Sequence, residues 1–274
     1  MTSTLHPEPR LARIRRLLTT AAVTFAVLGP VLVLLGLFAT KFGWVGWSLG
    51  LAPIRSVLGQ QSIASFLAML GAILGLIALG LALLVPPRRG YVAALVAIVL
   101  GGVTYGAFAH FWSRVRSHPP IHDVATDWKQ PILFSPQLMA ARGSDANPVE
   151  TAPVVASDGP RGSGYLGRPV AEVNAMTCPG ATPATLTLPP ARAYVRAKAE
   201  VSREGLKIVT DNPAQGLLEA TASDFWGLKD DLAVRITPAG AGSRVDFRAV
   251  SRHGANDLGR SCRLITRLRS AIGS

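Results

Sequence analysis

The chain has 274 residues, with 28 Lys and Arg against 16 Asp and Glu, a formal charge of +12. That length allows one or two domains. The excess charge lies in the first part: up to Trp112 the only acidic residue is Glu8, whereas from Ile121 onward 18 basic residues face 15 acidic ones. A nearly balanced second half argues against a nucleic-acid partner, while arginines beside apolar runs suit anionic lipid headgroups and set topology.

A basic segment, 1–16, carries Arg10, Arg13, Arg15 and Arg16. A three-helix transmembrane region at 17–112 follows, with predicted spans at 17–39, 63–85 and 91–112. Each is long enough to cross the hydrocarbon layer at 1.5 Å per residue. The first exceeds a signal-peptide core in length and lacks a small-residue cleavage site. Arg88 and Arg89, in the turn before Tyr91, join the N-terminal arginines on the cytoplasmic side. The third span then carries the C-terminal part across the bilayer. The sequence thus places the chain as a multi-pass protein of a bacterial inner membrane, with its N-terminus cytoplasmic and its C-terminal domain periplasmic. Arg114 and Arg116 run against this orientation. Gly71–Gly75 and Gly102–Gly106 have the small-residue spacing that lets helices approach closely, first among the three helices of one chain, with a dimer contact as the alternative. The spans contain no Asp, Glu, Lys or Arg, which argues against an ion pathway.

Residues 113–185, rich in Pro, Gly, Ser and Ala, read as an extended connector. Within it His122, Asp123 and Asp127 of the IHDVATD segment form only a weak metal-ligand pattern, since Asp and Thr also satisfy turns. No metal and no cofactor is expected. An α+β domain follows at 186–274. A helix is predicted over 191–204, after Pro189 and Pro190 and before Gly205. Strands are predicted at 206–210, 217–223, 231–237 and 244–251, with a further strand at 171–178. A six-residue loop closing Thr237 onto Arg244 sets Arg235 opposite Asp246 as a cross-strand ion pair. Alternation turns Leu232, Val234, Ile236, Val245, Phe247 and Ala249 to the core.

Asn256 or Asp257 caps the final helix. Leu258, Cys262, Ile265, Leu268 and Ile272 line its buried side. Arg260, Arg263 and Arg267 make a basic stripe, either solvated or set against lipid headgroups. Cys178 and Cys262 either pair in an oxidising compartment or stay as two buried thiols. The fold class is α+β: three N-terminal transmembrane helices, then a small antiparallel sheet packed with two helices.

The segments FWGLKDDLAVRI at Phe225–Ile236 and RVDFRAVSRHGANDLG at Arg244–Gly259 resemble the DUF1499 domain, a family of unknown function. IHDVATD, with QPILF at Gln130–Phe134, resembles the start of its membrane-anchored bacterial members, so the likeness runs from about Ile121. The resemblance implies that Asp230, Asp231, Arg248, Ser251, Arg252, Gly254, Asp257 and Gly259 are marked positions. It also implies two departures, at Ala249 and Ser261, where the family commonly has Ser and Asn. The residues themselves suggest a structural clasp in which Asp230, Asp231, Arg248, Ser251, Arg252 and Asp257 pin the last turn to the sheet, with a binding role left open. The function expected first is an envelope binding or scaffolding module whose partners are the lipid bilayer and an envelope protein or anionic lipid. A lipid or small hydrophobic ligand carrier, using space between sheet and helices, is the alternative. A hydrolase built on the adjacent carboxylates Asp230 and Asp231 comes third.

Overall fold

The structure, a computed structural model, describes residues 10–58, 61–157 and 164–273. Residues 1–9 of the expected basic segment lie outside the described residues. The chain divides into two compact units, Met1–Ser113 and Arg114–Ser274.

The first unit holds α1 (Arg10–Lys41), the single turn α2 (Trp47–Gly50), the short pair β1 (Ser56–Leu58) and β2 (Gln61–Ser62), α3 (Ile63–Leu84) and most of α4 (Tyr91–Ser117). Helices α1, α3 and α4 are long and apolar enough to cross a membrane. Small residues let them touch. A Cβ on Gly71 would lie 2.5 Å from the Ala26 nitrogen of α1, and one on Gly75 would lie 2.9 Å from Ile98 of α4. Gly71 and Gly75 thus serve two neighbours at once. A Cβ on Gly102 or Gly106 would meet nothing within 4 Å among the described residues, so no close helix approach is made at that pair there. Buried Arg15 donates through Nη1 to the carbonyl oxygens of Val85 (2.8 Å) and Pro87 (2.6 Å). It thereby satisfies the carbonyls at the end of α3 and fixes the basic start of α1 beside the basic turn before α4.

The second unit contains β3 (Asp123–Ala125), α5 (Pro136–Arg142), α6 (Val170–Thr177), β4 (Ala184–Leu186), α7 (Pro190–Arg203), β5 (Lys207–Asn212), β6 (Leu217–Ser223), β7 (Lys229–Ala239), β8 (Gly242–Ser251) and α8 (Arg260–Gly273). The antiparallel sheet runs β3-β8-β7-β6-β5, and β4 also pairs with β8. Arg235 stands opposite Asp246, as the pattern predicts. The hairpin is longer than predicted, because pairing continues to Ala239↔Gly242 and only two residues turn. Gly240 takes φ +56° there, a region open to glycine.

One face of the sheet is apolar. Leu218, Leu232, Val234, Val245 and Phe247 are fully buried against Ala197 and Val201 of α7 and Ile265, Leu268 and Ile272 of α8. The segment 171–178, predicted as a strand, is the helix α6, with Val170, Val173 and Asn174 inward at the i, i+3, i+4 spacing of a helix. The larger difference concerns 113–185. Much of this stretch folds into the second unit: β3 and β4 extend the sheet, and Ile132, Phe134 and Leu138 pack on Ala233 and Val250 of its other face. The reason is electrostatic, since that face carries charges which need partners.

Candidate functional site

The register sorts the six candidate residues onto two faces, because successive strand residues alternate. Asp231, Arg248 and Arg252 lie on the face covered by α5. Asp230 and Ser251, paired across β7 and β8, lie on the face covered by α8. The adjacent carboxylates Asp230 and Asp231 therefore point apart and cannot act together on one substrate.

On the α5 face, Arg248 is fully buried. Its Nε and Nη2 grip Asp123 through both oxygens, at 3.1 and 2.6 Å. Nη1 donates to the Ile132 carbonyl at 2.9 Å and Nη2 to that of Glu150 at 2.7 Å. The guanidinium lies 5.3 Å from the ring centre of Trp128. All its charge-bearing nitrogens are matched, which a buried arginine requires. Burial pushes the Asp123 carboxyl upward, and Arg248 pulls it back.

Asp231, also fully buried, is shared by two arginines. Arg252 forks onto it through Nε and Nη2, both at 2.8 Å, and Arg142 of α5 reaches it at 2.6 Å. Thr221 Oγ1 donates to it at 2.6 Å. Arg252 also donates to the Ala141 carbonyl, and Arg142 to those of Asn147 (2.7 Å) and Val250 (3.3 Å). The Arg142 Nε is buried with no hydrogen-bond partner among the described residues, and burial lowers that guanidinium's pKa while Asp231 raises it. Nearby, the buried carboxylate of Glu219 accepts from the backbone nitrogen of Ser135 at 2.7 Å and from its hydroxyl.

On the α8 face, Ser251 Oγ donates to Asp230, which also accepts from Arg260 at 3.0 Å. Burial raises the Asp230 carboxyl; Arg260 and Ser251 oppose that rise. Ser251 is thus engaged with a carboxylate, not with His253. Asp257 accepts from the backbone nitrogens of Gly259 (2.7 Å) and Ser261 (2.8 Å), the N-terminal cap of α8. Cys178, just past α6, and Cys262 of α8 form a disulfide with their Cα atoms 5.9 Å apart.

The trio His122, Asp123 and Asp127 does not converge. Asp123 holds Arg248, whereas Asp127 binds Arg244 at 2.8 Å and accepts from the nitrogens of Lys129 and Gln130. His122 is displaced downward in pKa by burial. Among the described residues no group of three His, Cys, Asp or Glu side chains is placed to hold a metal ion.

Sequence reasoning missed Asp123 and Arg142 as partners of Arg248 and Asp231, along with Glu219, Thr221 and Arg260. One signal was available: a strand face bearing Asp231, Arg235, Asp246 and Arg248 implies a cover that supplies opposite charges. The carrier alternative calls for space between sheet and helices, where many of the described residues form one buried apolar cluster. A cleft of about 380 Å³ lies between a sheet strand and a helix, lined by Ala184 and Thr185 of β4 and by Arg269, Ser270 and Gly273 of α8.

A family model described as "Protein of unknown function (DUF1499)" matches residues 123–272, more than half of the chain. Comparisons with curated proteins and with solved structures gave no match.

Proposed function

The chain belongs to the DUF1499 family, whose description supplies no reaction, and on that premise we propose that it is a binding or scaffolding module of the bacterial envelope. Three helices anchor it in the inner membrane and hold the DUF1499 unit in the periplasm, where an envelope protein or anionic lipid is its partner.

The observation that carries this reading is the use made of the charged residues. Asp231, Arg248 and Arg252 are held by partners within the unit, on elements far apart in the chain, and Asp230, Ser251 and Asp257 are likewise engaged. Such a network fixes a rigid surface, as a scaffold needs. The Cys178–Cys262 bridge supports the oxidising side of the membrane. The shared side of Arg15 and the Val85–Pro87 turn supports a cytoplasmic N-terminus, by the excess of basic residues there.

Topology is tested with Val195→Cys, an exposed position on α7. With the native cysteines bridged, a membrane-impermeant maleimide reaches only the new thiol. Labelling in intact spheroplasts is expected; labelling only after lysis would overturn the periplasmic placement.

A further inference from the structure

We propose that one end of the second unit is a docking surface for a bilayer containing anionic phospholipid. This deepens the anchoring reading and rests on it.

Three features meet at this end. The first is the last turn of α4, Arg114–Ser117, which belongs to the second unit. Asn256 Nδ2 donates to the Val115 and His118 carbonyls, both at 3.1 Å, and so ties that turn to the loop before α8. The second is the start of α8. A Cβ on Gly259 would lie 3.1 Å from both the Arg263 guanidinium and the His118 ring, so these two side chains flank the same spot. The third is the tip between β6 and β7. Arg260 reaches Asp224 of this tip at 3.4 Å while holding Asp230 at 3.0 Å. Asp224 Oδ1 accepts from the nitrogens of Trp226 and Leu228, both at 2.9 Å, which shapes the tip. Phe225 is 68% exposed there and meets the Trp226 ring edge-on at 5.0 Å.

A helix crossing the bilayer from Tyr91 uses about 20 residues for the hydrocarbon, which leaves Arg114 and Arg116 at headgroup level. The contacts through Asn256 and Arg260 tie Arg263 and the Phe225–Trp226 tip to that turn. Aromatic side chains settle at that interface, where an apolar ring leaves water and polar edges stay wet. Arg114, Arg116 and Arg263 form no ion pair among the described residues, and phosphates of the facing leaflet complement them. This also accounts for two arginines on the side that the charge rule would leave poor in them.

The test uses the full chain in nanodiscs of phosphatidylcholine alone, or of phosphatidylcholine and phosphatidylglycerol in equal parts. Trp226 emission is obtained as the difference between wild type and Trp226→Phe, with lipids brominated near the headgroup as quencher. Quenching is expected in the phosphatidylglycerol discs and is weaker in phosphatidylcholine. Replacing Arg114, Arg116 and Arg263 by Gln lowers the docked-to-free ratio by about fivefold per arginine. A second variant, Phe225→Ser, changes a largely exposed side chain and is read by hydrogen exchange over 224–228, expected to lose its lipid-dependent protection. Unquenched Trp226 in chain that has entered the discs, or equal quenching in both lipids, overturns the proposal. Failure to enter the discs would count against the anchoring reading instead.

Discussion

Arg248 is the residue on which the α5 face depends. Removing Asp123, its only carboxylate partner among the described residues, leaves a guanidinium buried and uncompensated, a change that costs about 3–5 kcal/mol. Asp123→Ala is therefore expected to lower the urea midpoint sharply. Arg248→Lys should do nearly as much, because an ammonium cannot reproduce the two-pronged grip on Asp123. An Asp231→Asn chain that keeps wild-type stability but loses its phenotype would show a binding role in place of the clasp. Alternation along β7 and β8 made the charged face legible, and with it the Arg235–Asp246 pair. It did not reveal Asp123, which lies 125 residues from Arg248, or Arg142, 89 from Asp231. Pairings over such separations leave no periodic trace. Acidity probes the same region. His122 has its pKa depressed below 6.5 by burial, so the unfolded chain binds a proton that the folded chain resists. Stability then rises with pH around that value and is lost as pH falls below about 6.5. His253, shifted downward by burial, has the same sign. Asp230 has the opposite one: its raised pKa contributes stability in acid that disappears as pH rises through the folded value. Thermal unfolding of wild type should lose more between about pH 7.5 and about pH 5.5 than that of His122→Gln; equal losses would remove His122 from the account.

Elements were legible where one side of them faces the apolar core. The helix α7 and the strands β6 to β8 show their period directly, because Leu232, Val234 and Ile236 or Ala193, Ala197 and Val201 must turn one way. The helix α6 was less so. Its eight residues bury only Val170, Val173 and Asn174, too short a pattern to separate from a strand. Asn174 has its own task, since its Oδ1 accepts from the Ala125 nitrogen at 2.9 Å and from Trp128 Nε1 at 3.0 Å. Its end also sets Cys178 against Cys262 of α8, a pairing across 84 residues that two cysteines in a sequence leave open. Closing a loop of that length restricts the unfolded chain by roughly 4.5 kcal/mol in the chain-entropy account. Cys262→Ser, or reduction of the wild type, is expected to lower stability by about 2–4 kcal/mol, read as the shift in urea midpoint with and without dithiothreitol. Alkylation of the unfolded protein without reductant should label neither thiol. Two labelled cysteines would mean that the bridge is absent.

At the scale of the whole molecule, the question is where the second unit begins. Composition set the boundary near Leu186, because 113–185 lacks periodicity and is rich in Pro and Gly. The buried charges move it upstream. A chain starting at residue 186 would lose Asp123, Arg142, Ser135 and the Ile132 carbonyl together. Arg248, Asp231 and Glu219 would then lose hydrogen-bond partners that now meet them out of water. It would also lose Cys178 and the β3 and β4 edges of the sheet. Each uncompensated buried group costs several kcal/mol, as much as a domain has to lose. A chain of 118–274 keeps all of these; the contact from Asn256 to Val115 at the end of α4 is among those it gives up. Made under oxidising conditions, 118–274 is expected to unfold cooperatively and to show a strong near-ultraviolet circular dichroism signal, whereas 186–274 shows neither. A cooperative 186–274 would mean that the face bearing Arg248 and Asp231 tolerates water, and that the segment before Leu186 is a cover added to a domain already complete.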